Sequence, residues 1–355
     1  MQLIGNQTEW AKAYALLQII GEGNLYFHEE NSEEKQAYPV STLIRNDECG
    51  KITYQLTPEN VLVKRGEEIH EFSRRKCTEA ASEIYSTLEK TSKKDYPIAA
   101  CDQIFDQLYY TWFHSSAENK SDFSVIYFDP EKEITQRQEI TVRTKTEWSL
   151  LPANRATNLK YEIQNVKFAN PEANRINRID GEHEVRKRLI EINRLGGKLK
   201  YSIPENKFFW ENLCMIDLHF PRLLAEITRL FYTTELFTVQ ELTEEIKKIN
   251  PYKIREELIQ KNNFYEYKVQ QFLYALAIGM RSTKRYYGYG SPLTFAIIGK
   301  KGRISLLNPA TRPAFDRYLY QNACLNIADC EAHKFGYIEK ENGQWLIKLN
   351  IEIKL

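Results

Sequence analysis

Hydrophobic and polar positions alternate most regularly at the C-terminus. Trp345, Ile347, Leu349, Ile351, Ile353 and Leu355 are separated by mostly polar residues and follow an Asn342-Gly343 pair. That pattern predicts a tight turn and a half-buried strand. At the other end Trp10, Tyr14 and Leu17 share a helical face, with Thr8 as N-cap and Gly21 as the stop. After a polar loop at 28–37, "KITYQL" and "NVLVKR" read as short strands around a Pro-containing turn. Residues 74–91 and 98–114 read as helices, the second capped by Asp95 with Pro97 in its first turn. "FSVIYF" is a nearly continuous apolar run, which predicts a strand buried on both faces. A turn in "DPEKE" then leads into a charged second strand, and a further strand is expected at 159–166.

From residue 182 the period becomes helical. Val185, Leu189 and Ile192 line one face, ended by Gly196-Gly197. Helices are expected at about 221–233, 239–249 and 265–280, with Thr238 and Glu241 at capping-box spacing. "PLTFAIIG" and "RISLLN" flank "KKG" as a hairpin. Strands, then helices, then strands give a mixed α/β or α+β chain. A division near residue 170 would separate an N-terminal part, 1–170, from a helical region with C-terminal strands, 171–355.

Composition narrows the function classes. The 355 residues are 42% hydrophobic, enough for a sizeable core, and 27% charged with a formal net charge of +1. Overall charge therefore announces no nucleic-acid partner, and any such contact must come from local clusters of Lys and Arg. No stretch approaches the ~20 apolar residues of a membrane helix, and the N-terminus reads as no secretory signal, so a cytoplasmic protein is expected. The six cysteines form no Cys-x-x-Cys pair and the six histidines no His-x-x-x-His pair, which argues against zinc and for free thiols.

The segment "SDFSVIYFDPEKEITQRQEITVRTK", Ser121 to Lys145, carries the candidate chemistry. A metal-dependent phosphodiesterase needs carboxylates to hold a hard cation such as Mg²⁺ and a cationic side chain beside the attacked phosphate. Asp122 opens the first strand. Glu139, Thr141, Arg143 and Lys145 share one face of the second, because side chains alternate along a strand. The set resembles the Asp…(Asp/Glu)-x-Lys signature of restriction-type nucleases. From the hairpin alone the bland alternative, a solvated strand face with cross-strand ion pairs, is the favoured reading.

Three stretches elsewhere bear on that choice. "EWAKAYALLQIIGEGNLY" (Glu9–Tyr26), "SLLPANRATNLKYEI" (Ser149–Ile163) and "HKFGYIEKENGQWLIKLNIEIKL" (His333–Leu355) resemble, in order, the N-terminal helix, the segment after the catalytic strand and the C-terminal hairpin of the HpaII-type restriction endonucleases. The resemblance implies a mixed-sheet core of the PD-(D/E)xK type and Mg²⁺-dependent cleavage of double-stranded DNA at a short palindrome related to CCGG. It also implies a homodimer and a cognate DNA methyltransferase acting on the same site. Glu139, from the strand pattern, is the candidate second metal ligand; the resemblance puts the catalytic Asp at Asp122 and Arg143 where the family has Lys. Lys145 is the candidate to take over that role, and Glu9 a further acid. Lys12 stands where the family has a second acid, and Ala332 where it has a basic residue before His333. These departures leave open a DNA-binding relative with a defective site, or one subunit of a heteromeric enzyme.

Candidate DNA contacts lie in two loops. "RSTKRYYGYG" (Arg281–Gly290) gathers three basic residues, three Tyr and two Gly, so that Arg281, Lys284 and Arg285 could grip phosphates. Its plainer reading is a basic helix C-terminus followed by a turn. "NRATN" offers Arg155 between Asn154 and Asn158, side chains able to read guanine and adenine edges, though such a loop is often turn chemistry alone. His333 could donate to a phosphate or base.

Overall fold

The computed structural model describes every residue except 1, 29–35, 49, 92, 114–120, 145–147, 167 and 291–292. Two compact units, each discontinuous in sequence, divide it: Met1–Trp148 with Ser291–Phe315, and Ser149–Gly290 with Asp316–Leu355. The breaks thus fall at 148, 290 and 315, whereas the sequence suggests one boundary near 170.

In the first unit the chain runs through α1 (Gln7–Glu22), β1 (Tyr38–Asp47), β2 (Gly50–Leu56), β3 (Asn60–Arg65), β4 (Glu68–Ser73), α2 (Arg74–Lys90), α3 (Asp102–Gln107), β5 (Phe123–Asp129), β6 (Ile134–Thr144), β7 (Thr294–Ile298) and β8 (Ile304–Leu307). These strands build one mixed sheet in the order β8-β7-β6-β5-β1-β2-β3-β4, with Asn24–Leu25 pairing on β1. The β7–β6 pair is parallel; the neighbours on this path are otherwise antiparallel. Ile140 and Val142 of β6 and Phe123, Val125 and Tyr127 of β5 join the core that α1 and α2 cover. By alternation Ser124, Glu139, Thr141 and Arg143 therefore lie on the other face of those strands.

Helix α1 begins two residues earlier than expected. Asn6, not Thr8, is the N-cap, and Asn6 and Glu9 form a reciprocal capping box. Gly23, at φ 70°, supplies the left-handed C-cap in place of Gly21. Arg74 then closes the helix, donating to the carbonyls of Ile20 and Gly21, where the macrodipole favours a cation. Of the helix read at 98–114, a 3₁₀ turn at Ala99–Cys101 and the short α3 form. Pro97 belongs to a two-residue strand paired with Ile4–Gly5. Trp10 fixes the start: its indole donates to Tyr96 O at 2.9 Å and packs against Tyr96, Phe105 and Phe113, beside the extended pair Tyr96–Pro97.

The second unit contains an antiparallel four-stranded sheet in the order Lys198–Pro204, Asn158–Gln164, Gln344–Asn350, Ile338–Glu341. Its main helices are Glu184–Arg194, Lys207–Ile216, Phe220–Thr233, Val239–Ile249 and Phe264–Ala277. The last strand pattern splits: Gln344–Asn350 stays in this sheet, and Glu352–Lys354 joins a three-stranded sheet with Ser149–Leu151 and Cys324–Asn326. Leu346 to Asn350 are all buried, so this strand is covered on both faces where alternation implied one. Two of its polar groups find partners there: Lys348 pairs with Glu339 at 3.0 Å, and the Asn350 amide N–H donates to Asn158 Oδ1 at 2.7 Å, while Asn350 Oδ1 is buried without a partner among the described residues.

Candidate functional site

Asp122 stands at the mouth of β5. Its backbone N–H donates to Ile140 O at 2.8 Å and its Oδ2 accepts from Val142 N at 2.8 Å, so the side chain prolongs the β5–β6 ladder. Thr141 Oγ1 approaches the same oxygen at 3.4 Å. The other oxygen, Oδ1, holds the Lys12 ammonium at 2.8 Å, with the two side chains 16% and 10% exposed. Lys12 reaches it from α1, one turn beyond Glu9. Glu9 spends an oxygen on the Asn6 N–H at 2.8 Å. The Tyr110 phenol lies within the fields of both acids: burial raises its pKa, Arg45 opposes the rise, and Asp122 and Glu9 add to it.

Glu139 lies opposite Ser124 in the register. Ser121 Oγ donates to its Oε2 at 2.7 Å, while Ser124 Oγ and Arg137 Nη2 donate to Oε1 at 2.7 and 3.0 Å. Burial pushes the Glu139 carboxyl up, but these donors and the Arg137 charge outweigh it and hold the pKa below the usual carboxylate value. Asp122 and Glu139 therefore have separate partners. Arg143 donates to Val142 O at 2.8 Å, on the strand face shared with Thr141. Lys145 lies outside the described residues.

A divalent cation does not fit this arrangement. Mg²⁺ demands oxygens at about 2.0–2.1 Å in octahedral geometry. Here one Asp122 oxygen carries an ammonium and the other accepts a backbone N–H, while a neutral Thr141 stands beside them. Among the described residues no group of three or more His, Cys, Asp or Glu side chains is arranged to hold a metal ion.

The second unit brings the two candidate DNA loops together. Asn154 caps the 3₁₀ turn Arg155–Thr157 and donates to Ser282 Oγ at 3.1 Å, joining residues 128 apart in the chain. A depression of about 430 Å³ is lined by Asn154, Arg155, Ala156, Glu205, Asn206 and Thr283. Arg155 is largely exposed and pairs with Glu205 at 3.1 Å. Lys284 and Arg285 are exposed, Arg285 with Glu211 at 3.4 Å. Arg281 folds back onto its own helix end, donating to Met280 O and Leu276 O at 2.8 and 3.1 Å. Asn158 is fully buried and bonds Glu205 Oε2 at 2.8 Å and His333 O at 3.0 Å, a structural use of its amide. His333 is half-buried. Burial raises the Glu205 carboxyl, yet the Asn158 bond and the Lys348 and Arg155 charges bring it below its ordinary value.

Sequence reasoning missed Asn212. This fully buried amide donates to Arg281 O at 2.8 Å and Lys284 O at 2.7 Å and accepts from Tyr286 N at 2.8 Å. An Asn inside "FFWENLCMI" was the available signal, a polar residue in an apolar run that needs a buried partner.

Comparison with known proteins bears on what these two sites serve. No solved structure matches the chain. Type II restriction enzyme HpaII of Haemophilus parainfluenzae is 28% identical over 357 residues, covering 99% of this chain and 98% of that protein. The HpaII restriction endonuclease family matches residues 6–355. That match spans nearly the whole sequence, and the chain accordingly belongs to the HpaII restriction endonuclease family of type II site-specific deoxyribonucleases.

Proposed function

We propose that the chain cuts phosphodiester bonds of double-stranded DNA within a short palindrome related to CCGG, acting in the cytoplasm as a twofold homodimer in which each subunit cuts one strand. A methyltransferase of the same specificity would protect the host sites. The observation that carries this function is the end-to-end relation to a type II restriction enzyme, 99% of this chain against 98% of that one.

Asp122, at the β5 terminus, is the proposed cleavage-site carboxylate in a core of the PD-(D/E)xK kind, with Glu139 and Glu9 as the further acids. Arg143 offsets charge that develops on the attacked phosphate; it keeps a positive charge but, unlike Lys, cannot give up a proton. Lys145 is the other cation proposed for that role. Lys284 and Arg285 serve phosphates, and Arg155 and Asn154 the base edges. Arg281, Asn158 and His333 support these loops from behind. Restriction endonucleases generally use a divalent metal ion, here Mg²⁺. The described geometry at Asp122, with Lys12 on one oxygen and the Val142 N–H on the other, does not seat one.

Supercoiled plasmid incubated with Mg²⁺ or Mn²⁺, followed by sequencing of fragment ends, reads activity, target and stagger together. Discrete ends sharing one palindrome are expected, and Asp122→Ala should abolish them while sparing DNA binding in Ca²⁺. Binding without nicking under either ion would sink independent cleavage. It would favour a relative that depends on another subunit, to which the Lys12–Asp122 pair lends weight.

A further inference from the structure

We propose that Lys12 is a tethered cation occupying the place of a divalent metal ion at Asp122, so that the DNA-free chain takes up no such ion there. This rests on the assignment of Asp122 to the cleavage site. The ammonium lies 2.8 Å from Oδ1, and both side chains are at least 84% covered. A pair this well shielded interacts more strongly than a surface ion pair, because little water screens it.

The ammonium is also held from behind. Lys12 sits in the chain between Ala11 and Ala13, both buried, on a helix that also buries Trp10, Tyr14, Ala15, Leu16 and Leu17. Its first turn is locked by the Asn6–Glu9 box, and Trp10 is bonded to Tyr96 O. The helix therefore cannot slide to withdraw Lys12; the side chain alone must swing away.

A metal ion arriving at Asp122 would meet three obstacles. It would face a like charge at the oxygen it needs. It would find the second oxygen bonded to the Val142 N–H. And both further acids are already engaged, Glu139 with Ser121, Ser124 and Arg137 and Glu9 with the Asn6 N–H of its capping box. One negative charge, already balanced, is a poor match for a doubly charged cation that gives up its water reluctantly.

Mn²⁺ uptake by the full-length, DNA-free chain, followed by the electron paramagnetic resonance of the free ion, tests this. Wild type and Asp122→Asn should take up Mn²⁺ identically to millimolar concentration. Lys12→Gln should gain about one site per chain, bound at least ~10-fold more tightly, and the Lys12→Gln/Asp122→Asn double variant should lose it. Lys12→Arg keeps the charge and should leave the site closed. The idea is overturned if wild type shows uptake that Asp122→Asn removes. It is equally overturned if Lys12→Gln folds, as judged by near-ultraviolet circular dichroism, and gains no Asp122-dependent site. Should Lys12→Gln fail to fold, the comparison of wild type with Asp122→Asn decides alone. These readouts need neither DNA nor turnover. A plasmid digest in which Asp122→Ala still cuts would defeat the assignment of Asp122 without altering the uptake result.

Discussion

Arg45 and Asp47 are both buried, 2% and 5% exposed, and pair at 3.4 Å on β1. The guanidinium also lies 4.0 Å over the Tyr110 ring and donates to Trp112 O. Taking either charge out of water is expensive, and removing one partner strands the other. Asp47→Ala should therefore cost about 3–5 kcal/mol of unfolding free energy; a urea titration showing a loss under about 1 kcal/mol would mean that water reaches Arg45. Asp129 behaves differently because it works at a turn. The Lys132 ammonium, first of all, and the N–H groups of Lys132 and Glu131 hold its carboxyl below the ordinary 3.8, against the effect of burial. With the folded value depressed, its stabilisation is complete above the unfolded value and is lost as pH falls through the folded one. The stability gap between wild type and Asp129→Asn should accordingly close as pH drops below about 4, measured by thermal unfolding across pH. The sequence displayed Asp122, Glu139 and Arg143 because alternation places strand residues on faces. It did not display their partners. Lys12 is 110 positions from Asp122, and only the packing of α1 on the sheet sends its ammonium there.

Two elements announced by local signals formed where expected. The Val239–Ile249 helix carries its Thr238/Glu241 box, and β7 and β8 meet around Lys300–Gly302. Elements set by distant contacts did not, as the extended segment against Trp10 shows. Gly302 marks the same limit from the other side. "KKGR" reads as a wet hairpin tip, yet Gly302 is buried at φ 72°, and its carbonyl accepts from Tyr14 of α1 at 2.5 Å. A Cβ there would lie 2.4 Å from the Tyr14 hydroxyl. Gly302→Ala should lose about 1–3 kcal/mol from overpacking alone, and Gly302→Ala/Tyr14→Phe should recover part of it in the same melt, since the opposing oxygen is gone. In the second unit Asn212 plays the corresponding part for the basic loop. Asn212→Ala leaves two carbonyls and one N–H without their partner, a cost of about 1–3 kcal/mol. Amide hydrogen exchange should rise at 281–286 well before it rises elsewhere; uniform acceleration would instead mean that the Lys207–Ile216 helix had lost its seat.

A net charge of +1 across the chain gives no sign of the proposed DNA-facing loops, because 49 basic residues are offset by 48 acidic ones. Electrostatic attraction to a duplex is decided by where charge is concentrated and by how many phosphates are neutralised. The Asn154–Ser282 bond gathers the two loops, with Lys284 and Arg285 exposed beside Asn154 and Arg155. Each phosphate contact releases counterions and contributes about 0.9 to the slope of log affinity against log salt. Lys284 therefore offers a count of subunits as well as a test of contact. If it meets one phosphate per chain, Lys284→Gln should flatten the slope by about 0.9 for a monomer on DNA and by about 1.8 for a twofold dimer. Fluorescence anisotropy on a labelled palindromic duplex in Ca²⁺, over a range of KCl concentrations, gives both slopes. The dimeric value is expected, and it should fall to the monomeric one on a duplex carrying a single half-site. A slope unchanged by the substitution would remove Lys284 from the interface. The same titration with Arg285→Gln separates the two cations, for Arg285 must first leave Glu211, at 3.4 Å, and should show the smaller change.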